Sequence, residues 1–201
     1  MPGALRPWDN RPVSDRPQLI GGPERRAISI VPYDSSWPLA FERQRARIES
    51  ALKQRALRVD HIGSTAVDGL AAKPIIDIDV SVRDPEDEEA YLPALERVGY
   101  ELRVREPGHR MLRTPPRDVH VHVCAGGSDW ERRHLLFRDW LRTDAGDRRR
   151  YTEAKRALAR RDWPDMNAYA YAKTEVIKEI TERAERWAVA TAWRPAKPAR
   201  S

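Results

Sequence analysis

The sequence predicts an α+β domain, in which one helix is followed by a β-rich centre with a second helix and then by three helices. Two observations support this fold class. Short central segments, bounded by turn residues, are rich in β-branched residues or alternate apolar with polar side chains, as strands do. These segments are residues 58–62, 75–82, 100–105, 109–114 and 119–124. After Gly127 the apolar residues recur at helical spacing. We therefore predict a mixed sheet of about four to five strands with flanking helices and a C-terminal helical segment.

The helices are predicted from their capping residues and apolar periods. Ser36 is a suitable N-cap for the first helix, and Pro38 falls in its first turn. The apolar residues of this helix follow a helical period, at Trp37, Phe41, Ile48 and Leu52. Residues 85–99 predict a second helix that ends at Gly99. The C-terminal helices are predicted over residues 129–143, 146–161 and 166–190.

Both ends of the chain lack the apolar periodicity of the centre. Residues 1–26 contain five prolines and three glycines and are predicted to form a disordered arm. Residues 191–201 are predicted to form a disordered tail, which leaves one folded domain over residues 27–190. The single cysteine, Cys124, allows no internal disulfide, and no stretch approaches the ~20 apolar residues of a membrane span. With no signal peptide visible after Met1, we expect a cytoplasmic protein without a membrane partner.

Positive charge is concentrated in one segment. The chain has a net charge of +6, and residues 129–161 hold eleven Arg or Lys and six Asp or Glu. A local basic surface favours an anionic partner, such as a nucleotide, RNA or another anionic acceptor. The alternative is a solvated helix face that binds nothing.

Residues 75–82 read IIDIDVSV, which places two carboxylates inside an apolar strand. Because side chains alternate along a strand, Asp77, Asp79 and Ser81 share one face. Two like charges about 7 Å apart on one strand face repel each other, and burying them unpaired is costly. A divalent cation such as Mg²⁺ or Mn²⁺ removes this conflict. The alternative is a pair of aspartates neutralised by arginines.

Gly63 and Ser64 follow the strand at residues 58–62, thirteen residues before Asp77. A glycine lets backbone N–H groups approach an anion, and a serine adds a hydroxyl donor. Alone, this pair indicates only a turn. Joined to Asp-x-Asp on the next strand, it resembles the arrangement of the nucleotidyltransferase superfamily, which implies that Gly-Ser holds nucleotide phosphates and that the carboxylates hold metal.

The stretch HIGSTAVDGLAAKPIIDIDV at residues 61–80 resembles the signature of the GrpB family. Further segments resemble that family in the same order: IVPYDSSWPLAFERQRARI, VHVHV, WERRHLLFRDWLR, YTEAKRALA and AYAYAKTEVIKEI. The resemblance covers about residues 28–184 and implies a nucleotidyltransferase-like fold. It also implies Mg²⁺ or Mn²⁺ as cofactor and NTP as substrate. One residue departs from the family pattern, because Asp68 stands where the family usually has proline.

The sequence VHVHVC puts His120, His122 and Cys124 on one strand face. The superfamily usually adds a third carboxylate on a neighbouring strand, and His122 is the candidate metal ligand in its place. Histidine favours Zn²⁺, Mn²⁺ or Fe²⁺ over Mg²⁺. The alternative is two histidines satisfied by their neighbours on a polar sheet face.

Four further residues are candidates for nucleotide binding beside Gly63 and Ser64. They are Thr65, Lys73, Arg132 and Lys173. Thr65 follows the Gly-Ser pair, Lys73 lies between that pair and the acidic strand, and Arg132 belongs to the basic segment. Lys173 forms an i, i+4 pair with Tyr169.

The predicted function is metal-dependent transfer of a nucleoside monophosphate from NTP to an unidentified acceptor, with Asp77 and Asp79 as the catalytic residues that hold metal. Two alternatives stay open. One is a non-catalytic nucleotide- or RNA-binding module of the same fold, and the other is a metal-dependent phosphohydrolase. Release of pyrophosphate favours the transferase and release of orthophosphate the hydrolase, whereas salt-dependent RNA binding without turnover favours the module.

Overall fold

The computed structural model describes residues 17–197, and their strands form one mixed sheet. The strands are β1 (Gln18–Leu19), β2 (Arg58–Ile62), β3 (Ile76–Val82), β4 (Glu101–Glu106), β5 (His109–Arg113) and β6 (Val119–Ala125). They lie in the order β1-β4-β5-β6-β3-β2, in which β3 and β6 are parallel and the other pairs antiparallel. The α+β class is therefore confirmed, but the sheet has six strands rather than four or five.

Six α-helices surround the sheet in the described part of the chain. They are α1 (Trp37–Leu52), α2 (Leu92–Arg97), α3 (Asp129–Thr143), α4 (Ala145–Ala159), α5 (Met166–Ala172) and α6 (Thr174–Thr191). The helix predicted over residues 85–99 is much shorter than expected, since only α2 and a 3₁₀ turn at Glu88–Ala90 form there. Pro93 has no N–H group and disfavours a helical residue before it, so it suits only the first turn of α2. No helix within residues 17–197 is long and apolar enough to cross a membrane.

The folded part extends beyond both predicted boundaries. Residues 1–16 lie outside the described chain, but within the arm predicted over residues 1–26 the strand β1 pairs with β4. Glu24 also contacts Arg113 at 2.8 Å across the sheet. At the other end, Trp193 donates from Nε1 to Asp139 Oδ2 at 3.2 Å, within the tail predicted over residues 191–201, of which 198–201 lie outside the description. A two-residue edge strand and one docked Trp carry no periodicity that a sequence reading can detect.

The two faces of the sheet have opposite chemistry. On the apolar face, α1 and α2 pack on the buried side chains of β3, which are Ile76, Ile78, Val80 and Val82. Each such burial contributes roughly 1.5–3 kcal/mol. The polar face of β3 is covered by α3, behind which α6 packs. The alternation predicted for IIDIDVSV is therefore confirmed.

Side-chain caps fix the helices that border the polar face. Asp144 begins α4 by accepting a hydrogen bond from Asp147 N, and Asp165 begins α5 by accepting one from Ala168 N. The predicted last helix is divided at Lys173, which lies between α5 and α6. This break lets α5 turn across the open end of the polar face.

Candidate active site

A cavity of about 620 Å³ opens at the N-terminal end of β3. Its walls come from the Gly-Ser loop (residues 63–66), from the starts of β3 and β6, and from α4 and α5. Its volume lies within the range of roughly 300–1,000 Å³ that is typical of small-molecule sites. Among the predicted site residues, its lining includes Gly63, Ser64, Thr65, Lys73, Asp77, His122 and Lys173.

Asp77, His120 and His122 form the most concentrated set of metal-ligating side chains in the described chain, and we call them the Asp77 cluster. One ligand atom from each lies within 4.8 Å of the others. Asp77 Oδ1 is 3.3 Å from His120 Nδ1 and 3.8 Å from His122 Nε2. Burial opposes ionisation of Asp77, but hydrogen bonds from the two histidines and their charges hold the pKa of this carboxyl well below its usual range.

The cluster follows from strand pairing and from one glycine. The parallel register of β3 and β6 sets Asp77 beside His120 and Asp79 beside His122. Gly63 has a φ of +68°, and a Cβ built there would lie 2.6 Å from Asp77 Oδ2. Only glycine tolerates both this backbone conformation and this close approach. The Gly-Ser loop therefore lies against the carboxylate that the sequence analysis singles out.

Asp79 does not join Asp77 in the cavity. Its side chain is 1% exposed, and both of its oxygens lie 2.9 Å from His134 Nδ1 on α3. Burial lowers the pKa of His134, but the hydrogen bond to Asp79 and the negative charge of Asp79 outweigh burial and raise it. Asp79 thus pairs with a histidine of α3. The sequence predicts that Asp77 and Asp79 hold one cation together, but the structure separates them, because α3 covers Asp79.

Two residues behind the cluster fix the orientation of His122. Glu106 Oε1 lies 2.9 Å from His109 Nδ1, and since a carboxylate only accepts, that nitrogen donates. His109 Nε2 then accepts from His122 Nδ1, 3.0 Å away, when both rings are neutral. This tautomer leaves the lone pair of His122 Nε2 for a cation shared with Asp77, whereas with no cation bound a protonated His122 donates from Nε2 to Asp77.

Three lysines converge on the other side of the cavity, and we call them the lysine cluster. They are Lys73 before β3, Lys155 on α4 and Lys173 after α5. Lys155 Nζ donates to Ser64 Oγ at 2.8 Å and to the carbonyl of Ala71. Burial and neighbouring cations lower the pKa of Lys155 to about 7 and that of Lys173 to about 8.

Two predicted ligands have other roles. Thr65 is buried, donates from Oγ1 to the carbonyl of Ile75 at 3.1 Å and lies 3.0 Å from His61 Nε2, so its hydroxyl braces the loop. Arg132 forms a two-pronged ion pair with Glu185 on α6, at 2.6 and 2.7 Å, and does not line the cavity. Arg132 lies on the side of α3 that packs against α6, whereas its neighbour Glu131 accepts a hydrogen bond from Ser81 of β3.

Comparisons with known proteins now identify the chain. The family model described as GrpB protein matches residues 27–183. The chain belongs to the GrpB family. A UPF0157 protein of Streptomyces coelicolor is 53% identical over 174 residues, which are 87% of this chain and 93% of that protein. The resemblance found in the sequence is therefore confirmed.

Two further relatives of this GrpB chain extend the comparison. The crystal structure of conserved protein GrpB from Enterococcus faecalis matches with a TM-score of 0.70 at 34% identity, covering 79% of this chain and 99% of that one. A dephospho-CoA kinase of Mycolicibacterium paratuberculosis is 31% identical in an alignment 222 positions long, which covers 96% of this chain but 54% of the kinase. The GrpB chain is thus similar both to separate proteins and to part of a longer enzyme.

The ligands of the Asp77 cluster indicate which metal ions this GrpB chain suits. The Asp77 cluster offers one carboxylate and two imidazoles. Mg²⁺ prefers a shell of oxygens, whereas Mn²⁺, Fe²⁺ and Zn²⁺ accept mixed nitrogen and oxygen ligands. The residues fit a transition metal better than they fit Mg²⁺. No sequence pattern marks Lys155 as a site residue or His134 as the partner of Asp79, since both lie on helices whose docking depends on tertiary packing.

Proposed function

We propose that this GrpB chain is a metal-dependent nucleotidyltransferase that transfers a nucleoside monophosphate from NTP to an acceptor. The observation that carries this proposal is the convergence of the Asp77 cluster, the Gly-Ser loop and the lysine cluster on one cavity. Metal ligands and cationic phosphate holders in one concave site are the two components that such a transfer needs.

In the proposed reaction an acceptor oxygen attacks the α-phosphorus, the bond to the β-phosphate breaks, pyrophosphate leaves, and the acceptor proton passes to water. A cation held by Asp77, His120 and His122 would polarise the α-phosphate and activate the acceptor oxygen. Ser64 and Lys155, joined at 2.8 Å, lie where they can hold the leaving phosphates. The proposal assigns Mn²⁺ in preference to Mg²⁺ and gives Asp79 no direct part.

A second candidate is a metal-dependent phosphohydrolase, and the two histidines of the Asp77 cluster favour it. Zn²⁺ and similar ions, which such ligands suit, lower the pKa of a bound water toward 7. In that case water attacks a terminal phosphorus of the substrate, the bond to the bridging oxygen breaks, and orthophosphate is released.

The reading as an RNA-binding module receives less support, because internal contacts occupy much of the basic segment. Arg132 pairs with Glu185, Arg138 with Asp60, and Lys155 with Ser64. Arginines already paired within a domain present less positive charge to a phosphate backbone.

The test uses the full chain, Mn²⁺ and each of the four NTPs labelled at the α-phosphate, with a cell extract as the source of acceptors. We expect label to move to an acceptor together with release of pyrophosphate. Asp77→Asn abolishes this transfer. Asp118→Asn serves as the control, because Asp118 lines the same cavity but accepts from Thr114 Oγ1 at 2.6 Å, outside the Asp77 cluster.

Three results contradict the transferase. Release of orthophosphate identifies a hydrolase. RNA that binds in a salt-dependent way without any metal-dependent turnover identifies a binding module. Equal loss of transfer in Asp77→Asn and Asp118→Asn places the chemistry outside the Asp77 cluster.

A further inference from the structure

Two helices that border the cavity carry the same sequence pattern, Tyr-x-x-x-Lys. On α4 the pair is Tyr151 and Lys155, and at the end of α5 it is Tyr169 and Lys173. This spacing places both side chains on one helix face. Each ammonium lies against the ring of its own tyrosine, at 4.5 Å from the centroid for Lys155 and 5.0 Å for Lys173. The rings therefore hold the two lysines on the side that faces the cavity.

Lys73, which precedes β3, lies against the same tyrosine ring as Lys173. Its Nζ also lies 5.0 Å from the centroid of the Tyr169 ring, so that this ring has two ammonium groups against it. Such contacts stabilise a cation without neutralising it. The three lysines come from three separate segments, and they meet only because α4 and α5 fold over the Gly-Ser loop.

The lysine cluster has too little negative charge beside it. Asp77 is the carboxylate that acts on all three lysines, whereas Arg26 and Arg156 add positive charge to Lys73 and Lys155 respectively. Lys155 itself is 3% exposed. Burying like charges together destabilises the protein unless a further anion joins them. The excess of positive charge around the buried Lys155 is an observation that points to a ligand with several negative charges.

A second observation is independent of charge. Tyr169 is 1% exposed and lines the cavity, yet its hydroxyl has no hydrogen-bond partner within residues 17–197. Most buried hydroxyl groups are paired, so an unpaired one requires a partner that the protein itself does not supply. Its position beside Lys73 and Lys173 indicates an acceptor oxygen of the same ligand.

We propose that Ser64, Tyr169 and the lysine cluster form a subsite for a polyphosphate chain, with Lys155 at its centre. The ammonium groups would neutralise successive phosphates, and the hydroxyls of Ser64 and Tyr169 would donate to their oxygens. Only the nucleoside that such a polyphosphate would carry rests on the proposed function. In this subsite the main contacts to the phosphates come from side chains of α4 and α5 rather than from the backbone of the Gly-Ser loop.

The subsite accounts for the choice of lysine over arginine and for the size of the ligand. Lysine acts as a point charge toward phosphate and loses its proton more readily than arginine when it is buried. A single phosphate or carboxylate contacts one or two ammonium groups, whereas a diphosphate or triphosphate extends across all three. We therefore expect affinity to rise in the order phosphate, pyrophosphate, tripolyphosphate.

The experiment measures binding of inorganic tripolyphosphate to the full chain by calorimetry at pH 7, in the presence of EDTA so that no metal contributes. Lys155→Gln and Lys173→Gln are expected to weaken binding by at least about 10-fold, and Tyr169→Phe by about 3- to 10-fold. The matched control is Arg132→Gln, which removes one positive charge from the same segment but outside the cavity. It is expected to leave affinity within about 2-fold.

Raising the pH supplies a second readout. Affinity should fall between pH 7 and 9, as Lys155 and Lys173 lose their protons. The other groups that face them are Lys73, Arg26, Arg156, Asp77 and Tyr169. Asp77 stays ionised, and burial raises the pKa of Tyr169 to about 12, so its hydroxyl keeps its proton. An affinity that is constant over this range contradicts the proposal.

Other outcomes separate this proposal from the proposed function. If Lys155→Gln does not fold, as judged by circular dichroism, Lys173→Gln and Tyr169→Phe decide the question. Unchanged binding in those variants, or an equal loss in Arg132→Gln, overturns the subsite. Tripolyphosphate binding by a wild-type protein that shows no nucleotidyl transfer leaves the subsite standing and removes the transferase.

Discussion

Asp77 and Asp79 lie two residues apart on the same face of the same strand, and their surroundings differ almost completely. Asp77 is 29% exposed and faces the cavity beside His120 and His122. Asp79 is 1% exposed and is covered by α3, where it pairs with His134. The comparison teaches that strand alternation determines which side chains share a face, whereas the helix packed on that face determines which of them stay accessible to a ligand.

The covering helix also explains why the two carboxylates do not act as a pair. Each aspartate has its own histidine partners, which are His120 and His122 for Asp77 and His134 for Asp79. The repulsion that the sequence analysis resolves with one shared cation is thus relieved locally. We infer a ligand-binding role for Asp77 and a stabilising role for Asp79.

The largest expected effect comes from exchanging the two aspartates for asparagine separately. Asp77→Asn should weaken Mn²⁺ affinity by at least about 100-fold, because it removes the one anionic ligand of the cluster. Asp79→Asn should leave Mn²⁺ affinity within about 3-fold but lower the free energy of unfolding by about 2 kcal/mol, because a buried charged hydrogen bond is lost. Calorimetric titration and thermal unfolding measure the two quantities.

The pH dependence of stability tests the stabilising role assigned to Asp79. The pKa of His134 is raised in the folded chain, so its pairing with Asp79 stabilises fully below the unfolded pKa and is lost as the pH rises through the folded pKa. The stability difference between Asp79→Asn and the wild type should therefore be larger at pH 6 than at pH 9. If Asp79→Asn loses as much Mn²⁺ affinity as Asp77→Asn, the two carboxylates act as one site and the comparison fails.

An intermediate effect is expected at the glycine that approaches Asp77. Gly63→Ala should weaken Mn²⁺ binding by about 10- to 100-fold, because the new Cβ displaces the carboxylate from the cluster. Gly69→Ala is the matched control, since Gly69 has a φ of +72° but no heavy atom within 4 Å of a Cβ built there. Both variants pay a backbone cost of about 1–2 kcal/mol, and thermal unfolding should show it in each.

Only Gly63→Ala should change metal affinity. Equal Mn²⁺ affinities in Gly63→Ala and Gly69→Ala would mean that the contact between Gly63 and Asp77 has no influence on the cluster. The difference between Asp77 and Asp79 would then rest only on how exposed each side chain is.

The sequence predicted what depends on local pattern. The alternation of β3 follows from the period of two along a strand. The pairing of β3 with β6 and the position of the Gly-Ser loop beside Asp77 were expected from the resemblance to the nucleotidyltransferase arrangement. The strands at residues 58–62 and 109–114 were placed correctly to within one residue. These features need no knowledge of how the helices dock.

What the sequence did not predict depends on tertiary packing. His134 reaches Asp79 only because α3 lies across β3, and Lys155 reaches Ser64 across 91 residues of chain. Arg132 carried the same charge signal as Lys155, yet α6 supplied Glu185 as its partner. In a basic segment, the charge count alone does not separate residues that face a cavity from residues that pair between helices.

The smallest expected effect lies behind the cluster, at Glu106. Its carboxylate accepts from His109, and this contact sets the proton on His122 Nδ1 and the lone pair on Nε2. Glu106→Gln keeps the side-chain shape but weakens that preference, so Mn²⁺ affinity should fall by about 10-fold.

Glu101→Gln, at an exposed position on the same strand, is the control and should bind Mn²⁺ as the wild type does. Around Asp79 the Glu106→Gln substitution has no expected consequence, because His134 donates to Asp79 and is hydrogen-bonded to neither His109 nor Glu106. Nuclear magnetic resonance of the histidine ring nitrogens should accordingly show the tautomer of His122 changing while that of His134 stays constant. A uniform change in both rings, or an unchanged Mn²⁺ affinity, would show that the orientation of His122 is set by its packing against His109 rather than by the proton.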